Sequence, residues 1–149
     1  GAWHLQRGAC VVVNAGTTVT VDALDRAGVY LGGMIVAGAD LMREALARNT
    51  ARLRPRAGCF AFFPSCTADA IESGVVNAHA GAIERMVRFM LQAGEAAPLT
   101  LLSGGAAQVI APQVNGAVEV VDNLVLEGLV RIALDSSAVG RQSSRVARK

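Results

Sequence analysis

ACVVVNAGTTVTVDALDRAGVYLGGMIV, residues 9–36, decides the fold. Ala9-Cys10-Val11-Val12-Val13 is an unbroken apolar run, the pattern of a buried strand, and it stops at Asn14. Ala15-Gly16 turns the chain. From Thr17 to Leu24 the residues are β-branched and alternate. Thr17, Val19, Val21 and Ala23 share one face, while Thr18, Thr20 and Asp22 share the other. Asp25-Arg26-Ala27-Gly28 reads as a hairpin connection, with Gly28 free to take a positive φ. Val29 to Val36 is a third strand. The Gly32-Gly33 pair inside it predicts a bulge or the close approach of another group.

Downstream the period changes from two to between three and four. Leu41, Met42, Ala45 and Leu46 form an apolar stripe, so a helix is expected from Ala39 to Arg48. Residues 49–65 carry Pro55, Gly58 and Pro64 and read as a loop. Thr67 then opens a long helix as its N-cap, with Asp69 in the first turn favouring the dipole. Ile71, Val75, Ala78, Ala82, Met86 and Met90 make its stripe, and Gly94 ends it. Gly74 and Gly81 cost this helix about 1 kcal/mol each relative to alanine, and close packing is the expected return. Leu99 to Leu102 is a short strand followed by Ser103-Gly104-Gly105. A helix from Ala106 to Ile110 stops near Pro112, and Ala117 to Val121 is a strand. Asn123 caps a last helix, with Leu126, Leu129, Val130 and Leu134 expected to face the core.

Three antiparallel strands followed by right-handed crossovers give an α/β fold: a mixed five-stranded sheet with helices on both faces. That order is the one of a ribonuclease-H-like lobe, the unit of actin-like ATPases. One domain over residues 1–137 is expected, followed by a basic, disordered tail over 138–149.

The chain has 149 residues, 52% of them hydrophobic and 17% charged, so it can build a substantial core. The formal net charge is +2, but Arg141, Arg145, Arg148 and Lys149 supply four of the fourteen cations. The remaining ten cations face twelve anions, a net −2. A mildly acidic body with 4% aromatics argues against nucleic acid as a partner. No run of about 18 apolar residues exists, and a membrane span is not expected. The opening GAWHLQR lacks the apolar core of a signal peptide and lacks Met, so a fragment or processed chain is expected. Cys10, Cys59 and Cys66 are odd in number and form no CxxC. A cytoplasmic, reducing location fits them better than a disulfide framework.

Three segments can carry chemistry. In Asn14-Ala15-Gly16-Thr17, Gly16 lets a ligand approach the backbone and Thr17 offers a hydroxyl and an N–H, as in anion-binding nests. A hairpin with a threonine-rich edge explains the same residues. In Ser103-Gly104-Gly105, a strand ends, glycines turn and a helix begins, which suits a phosphate or nucleoside. Such turns also occur without ligands. Thr67 either binds a polar ligand group or simply caps its helix. Asp22, Asp40, Asp69 and Asp122 are available acids, most of them expected to be solvated or capping. His79 has no ligating neighbour at helical spacing, and Lys149 is the only lysine, so neither a zinc site nor a lysine nucleophile is expected in the folded body.

Seven stretches taken in order resemble the C-terminal half of the type III pantothenate kinases, a family that includes the Bvg accessory factor proteins. They are NAGTTVT (14–20), LGGMIVAGADLMREAL (31–46), NTARL (49–53), CTADAIESG (66–74), AGAIER (80–85), LLSGGAA (101–107) and DNLVLEGL (122–129). The resemblance implies an actin-like fold of two lobes working as a homodimer. It implies transfer of the γ-phosphoryl group of ATP, with Mg²⁺, to the hydroxyl of pantothenate, the first step of coenzyme A synthesis. Gly16 and Thr17 would contact ATP, and Ser103, Gly104 and Gly105 match the adenosine motif. Thr67 matches the threonine that contacts pantothenate near the dimer interface. Asn14 stands where many members carry an Asp that helps bind a monovalent cation, K⁺ or NH4⁺, and Ala37 stands where they carry Pro. The family's Asp-x-Gly-Asn phosphate loop and its Gly-x-Asp-Arg segment with the catalytic Asp do not occur in this sequence. The expectation is therefore a C-terminal lobe with no catalytic base of its own, inactive without an N-terminal lobe. The alternatives are a non-catalytic accessory or regulatory protein that keeps the lobe, or an actin-like kinase for another small molecule.

Overall fold

The computed structural model describes residues 1–50 and 57–134. A short helix α1 (Ala2–Leu5) leads into β1 (Cys10–Ala15), β2 (Thr18–Leu24) and β3 (Tyr30–Ala37). Then come α2 (Ala39–Asn49), α3 (Thr67–Gln92), β4 (Leu99–Ser103), α4 (Ala107–Ile110), a 3₁₀ turn (Ala111–Gln113) and β5 (Val118–Val120). Residues 124–134 are helical and are called α5. The sheet order is β3-β2-β1-β4-β5. The β1–β2 and β2–β3 pairs are antiparallel, and the β1–β4 and β4–β5 pairs are parallel. This is the mixed sheet of a ribonuclease-H-like lobe.

The alternation in β2 decides which face is sealed. Val19, Val21 and Ala23 join Val11, Val13 and Ala15 of β1 beneath Ile83, Met86 and Met90 of α3 and Ile110 of α4. Each fully buried branched side chain contributes about 1.5–3 kcal/mol. On the other face Cys10 and Leu101 meet Ala2 of α1 and Leu124 of α5. Helices thus cover both faces, although unequally. The bulge falls where the glycine pair predicts irregularity: Ala23 pairs with Gly32 but Leu24 pairs with Tyr30, which leaves Leu31 extra.

Several expectations are corrected. Thr17 lies in the turn, because β2 starts at Thr18. The N-cap of α3 is Cys66, without a side-chain capping bond, so Thr67 is the first helical residue and caps nothing. Gly74 and Gly81 meet no atom within 4 Å of a Cβ built on either, so close packing is not their role within this chain. Ala78 is exposed, and the buried stripe of α3 runs instead through Val75, Val76, His79, Ala80, Ile83, Met86 and Met90. In α5, Leu126 and Leu129 are 57% and 56% exposed, and Val130 and Leu134 are exposed as well. The inward edge is Leu124, Gly128 and Arg131, four and three residues apart. Gly1 sits against Leu124 and Gly128, so the N-terminal residues dock on that edge and turn the leucine stripe outward. The expected tail, residues 138–149, lies outside the described residues.

Candidate functional site

Because β1 and β4 are parallel, their C-terminal ends lie side by side, with Asn14 opposite Ser103. The chain turns just beyond each end, at Gly16-Thr17 and at Gly104-Gly105. Gly104 has φ +101°, and a Cβ there would stand 2.5 Å from the Ala15 carbonyl oxygen. Ala106 N–H donates to that same oxygen at 3.2 Å. The two turns are therefore locked back to back, and only glycine fits the joint. A third segment closes on them: Gly38 N–H donates to the Thr17 carbonyl at 2.9 Å. A Cβ on Gly38 would collide with the carbonyls of Gly16 and Thr17.

Two expectations about anion binding change here. Gly16 N–H donates to the Thr18 carbonyl at 3.1 Å, so that amide serves the turn itself. α4 has only four residues, too short for a full helix dipole, so a phosphate would rely on turn amides and the Thr17 hydroxyl.

A cavity of about 410 Å³ opens beside these turns, lined by Gly16, Gly105, Ala106, Arg43, Glu72 and His79 among others. Arg43 donates from Nε and Nη2 to the two oxygens of Glu72 at 2.9 and 2.8 Å, and from Nη1 to Asp40 at 2.8 Å. The hydrogen bond to Glu72, with the two nearby carboxylate charges, raises the guanidinium pKa further despite partial burial. His79 is buried, and its Nε2 lies 2.9 Å from the Ala37 carbonyl. A carbonyl partner requires that nitrogen to carry the proton.

A second cavity of about 420 Å³ lies on the opposite face of the sheet, lined by Asn14, Thr20, Asp22, Tyr30, Ser103 and Leu124 among others. Tyr30 Oη donates to Asp22 Oδ1 at 3.4 Å. Amide, hydroxyl and carboxylate groups share this lining, and Asp22 is its one acidic side chain.

The predicted residues thus divide. Gly16 and Gly105 line the first cavity, Asn14 and Ser103 line the second, and Gly104 forms the joint between the two turns. Thr17 is exposed at the turn, and Thr67 is exposed at the start of α3 and lines neither cavity. The loop before Thr67 is tied to α3 by Cys59 N–H donating to Asp69 Oδ1 at 2.8 Å and by Ala61 N–H donating to Ser73 Oγ at 2.9 Å. The Cys59 amide and the Cys66 thiol hold the Asp69 carboxyl below its ordinary pKa. Of the acids expected to be solvated or capping, Asp22, Asp40 and Asp69 therefore have specific partners. Arg43 and Glu72 escaped the sequence reading, and His79 was weighed only as a metal ligand. Asp40 and Arg43 are three apart on one helix and could have been paired, but nothing local marks Glu72.

Comparison with known proteins gives the family. The profile of the type III pantothenate kinase family matches residues 1–89. A type III pantothenate kinase of Nitrosospira multiformis is 49% identical over 136 residues, which cover 91% of this chain and 52% of that protein. One from Aromatoleum aromaticum is 50% identical over 138 residues, covering 93% and 56%. The chain thus spans about half the length of the curated relatives it matches. A Campylobacter jejuni structure described as a conserved Baf family transcriptional activator superposes with a TM-score of 0.63 at 22% identity. It covers 92% of this chain and 62% of that one, and shows the shared fold. With the profile spanning more than half of the sequence and the locked turns at the ends of β1 and β4, this chain belongs to the type III pantothenate kinase family.

Proposed function

We propose that this chain is the C-terminal lobe of a pantothenate kinase, which transfers the γ-phosphoryl group of ATP to the hydroxyl of pantothenate at the start of coenzyme A synthesis. The observation that carries the reading is the pair of glycine turns, locked back to back at the ends of parallel β1 and β4 beside an open cavity. In an open α/β sheet, this is where a ligand binds.

On this reading Thr17 and the Gly16 turn meet the phosphates, and Gly104-Gly105 leaves room for the adenosine. Thr67, whose hydroxyl is not spent on capping, contacts pantothenate. Asn14, Thr20, Asp22 and Ser103 supply oxygens for a monovalent cation, with Asp22 in place of the usual charge. Mg²⁺ arriving with ATP offsets the phosphate charge. The pantothenate hydroxyl attacks the γ-phosphorus, the bond to the bridging β,γ-oxygen breaks, and ADP leaves. The hydroxyl proton goes to a carboxylate in the part of the relatives' length that this chain does not span. A homodimer in the cytoplasm completes the reading. The exposed small-residue face of α3 at Gly74 and Gly81 and the exposed Phe62 and Phe63 of the loop before α3 favour a second copy there.

The test is phosphorylation of pantothenate with ATP, Mg²⁺ and K⁺. The chain is assayed alone and again with the N-terminal half of the Nitrosospira multiformis relative added in trans. Turnover only in the mixture is expected. Turnover by the chain alone overturns the assignment of the proton acceptor. No turnover from an associated pair overturns the kinase reading in favour of an accessory protein or another acceptor.

A further inference from the structure

No side chain of α2 is fully buried. Half-buried Ala39, Met42 and Ala47 give it only a thin apolar contact, so directional contacts carry much of its aim. At its N-terminus Gly38 is pinned against the Gly16-Thr17 turn by the hydrogen bond to Thr17 and by the space its missing Cβ leaves. Just before Gly38, the Ala37 carbonyl is held by His79 of α3. Between one and two turns into α2, Arg43 forms its two-point bond to Glu72 of α3. Glu72 follows Thr67 by five residues, about 7.5 Å along the helix axis.

The ion pair thus joins the helix seated on the phosphate-side turn to the stretch of α3 that begins at the acceptor-side threonine. A bidentate guanidinium–carboxylate contact fixes orientation as well as distance. All three guanidinium nitrogens of Arg43 are engaged, Nε and Nη2 by Glu72 and Nη1 by Asp40. Three of its five N–H donors are thus committed to holding α2 against α3. The carboxylate of Glu72 is mostly sheltered, with its side chain 16% exposed, which spares the pair much of the screening of a surface bridge.

We propose that Arg43, through Glu72, is a positioning residue that sets the separation between the Gly16-Thr17 turn and the Thr67 end of α3. This rests on the kinase reading above. Phosphoryl transfer is sensitive to such a separation, because misplacing reacting groups by about 1 Å costs on the order of 100-fold in rate.

The experiment uses this chain associated with the N-terminal half of the Nitrosospira multiformis relative, as in the assay above. Arg43→Ala is expected to lower kcat about 10- to 100-fold while KM for ATP and for pantothenate each move less than about 3-fold. Arg43→Lys, which keeps the charge but loses the fork, is expected to fall between them. Arg43→Glu and Glu72→Arg are each expected to be impaired, and the charge-swapped double variant to recover most of the lost kcat. Wild-type kcat in Arg43→Ala, a rise in KM alone, or failure of the swap to rescue would each overturn the proposal. A second readout is independent of catalysis. Amide hydrogen exchange over residues 16–18 and 38–42 is expected to quicken in Arg43→Ala and to recover in the swap. If the wild-type protein phosphorylates no pantothenate, the kinase reading fails and this exchange decides the positioning role. Unchanged exchange overturns it.

Discussion

α3 and α2 pack against each other near the same end of the sheet, yet they are held by opposite means. α3 sinks Ala80, Ile83, Met86 and Met90 into the main core beneath β1 and β2. α2 has no fully buried side chain and is held by Gly38 at its start and by the Arg43–Glu72 pair. Burial is strong but non-directional, and it fixes where a long helix lies. Hydrogen bonds and a sheltered ion pair are weaker in net terms, but they aim a short helix. In this molecule the aimed helix is the one that touches the candidate phosphate turn.

The largest expected effect tests the α3 side of this comparison. Ile83→Ala, at a fully buried position, should cost about 2–5 kcal/mol by urea denaturation. Leu46→Ala, on the half-exposed face of α2, should stay within about 1 kcal/mol. Similar losses at the two sites would erase the distinction between the helices.

Next comes the joint on which both helices converge. Gly104→Ala forces an L-residue to φ +101° against the Ala15 backbone, a strain of about 1–3 kcal/mol. A lower melting temperature and weaker binding of a nonhydrolysable ATP analogue are expected together. Unchanged nucleotide affinity would remove this turn from the site.

Smaller still is the response of the exposed face of α3. Gly74→Ala and Gly81→Ala meet no neighbour in this chain and should stabilise the monomer by about 0.5–1 kcal/mol each. If a second copy packs there, the same changes should weaken the dimer in sedimentation measurements. Stabilisation with an unchanged association constant would place any dimer contact elsewhere.

The smallest effect concerns the loop in front of Thr67. Asp69 is held below its ordinary pKa, so its contribution is present above the unfolded carboxylate range, about 4. It is lost as pH falls through the lowered folded value. Protection of the Cys59 amide, taken relative to its intrinsic exchange rate at each pH, should therefore fall in acid, and Asp69→Asn should flatten that pH dependence. An unaltered profile in the variant would assign the anchoring to Ser73 instead.

Much of this architecture is legible in local patterns. The alternation Val19, Val21, Ala23 names the buried face of β2, and the Gly32-Gly33 pair marks the bulge in β3. The ends of α3 come within a residue or two of expectation, because Asp69 and Gly94 are local signals. The same local logic mistakes the outward stripe of α5 for core and reads Gly74 and Gly81 as close-packing sites. Amphipathic spacing says that one side of a helix is apolar, but not which neighbour is present to cover it. Of the candidate site, Gly16, Thr17, Gly104 and Gly105 were visible because glycine at a strand end is a local mark. Arg43 and Glu72 were not, because nothing in a sequence announces a contact between residues 29 positions apart.

The sequence by itself determined the succession of strands and helices, the glycine turns and the family, since these rest on short-range periodicity and on motifs in a fixed succession. Only the tertiary structure decided that the turns lock through Ala15, that Asn14 and Ser103 face away from the Gly16 cavity, and that α2 is tied to α3 by one guanidinium. Those are facts of register and of long-range contact, which depend on which residues the packed sheet and helices bring opposite one another.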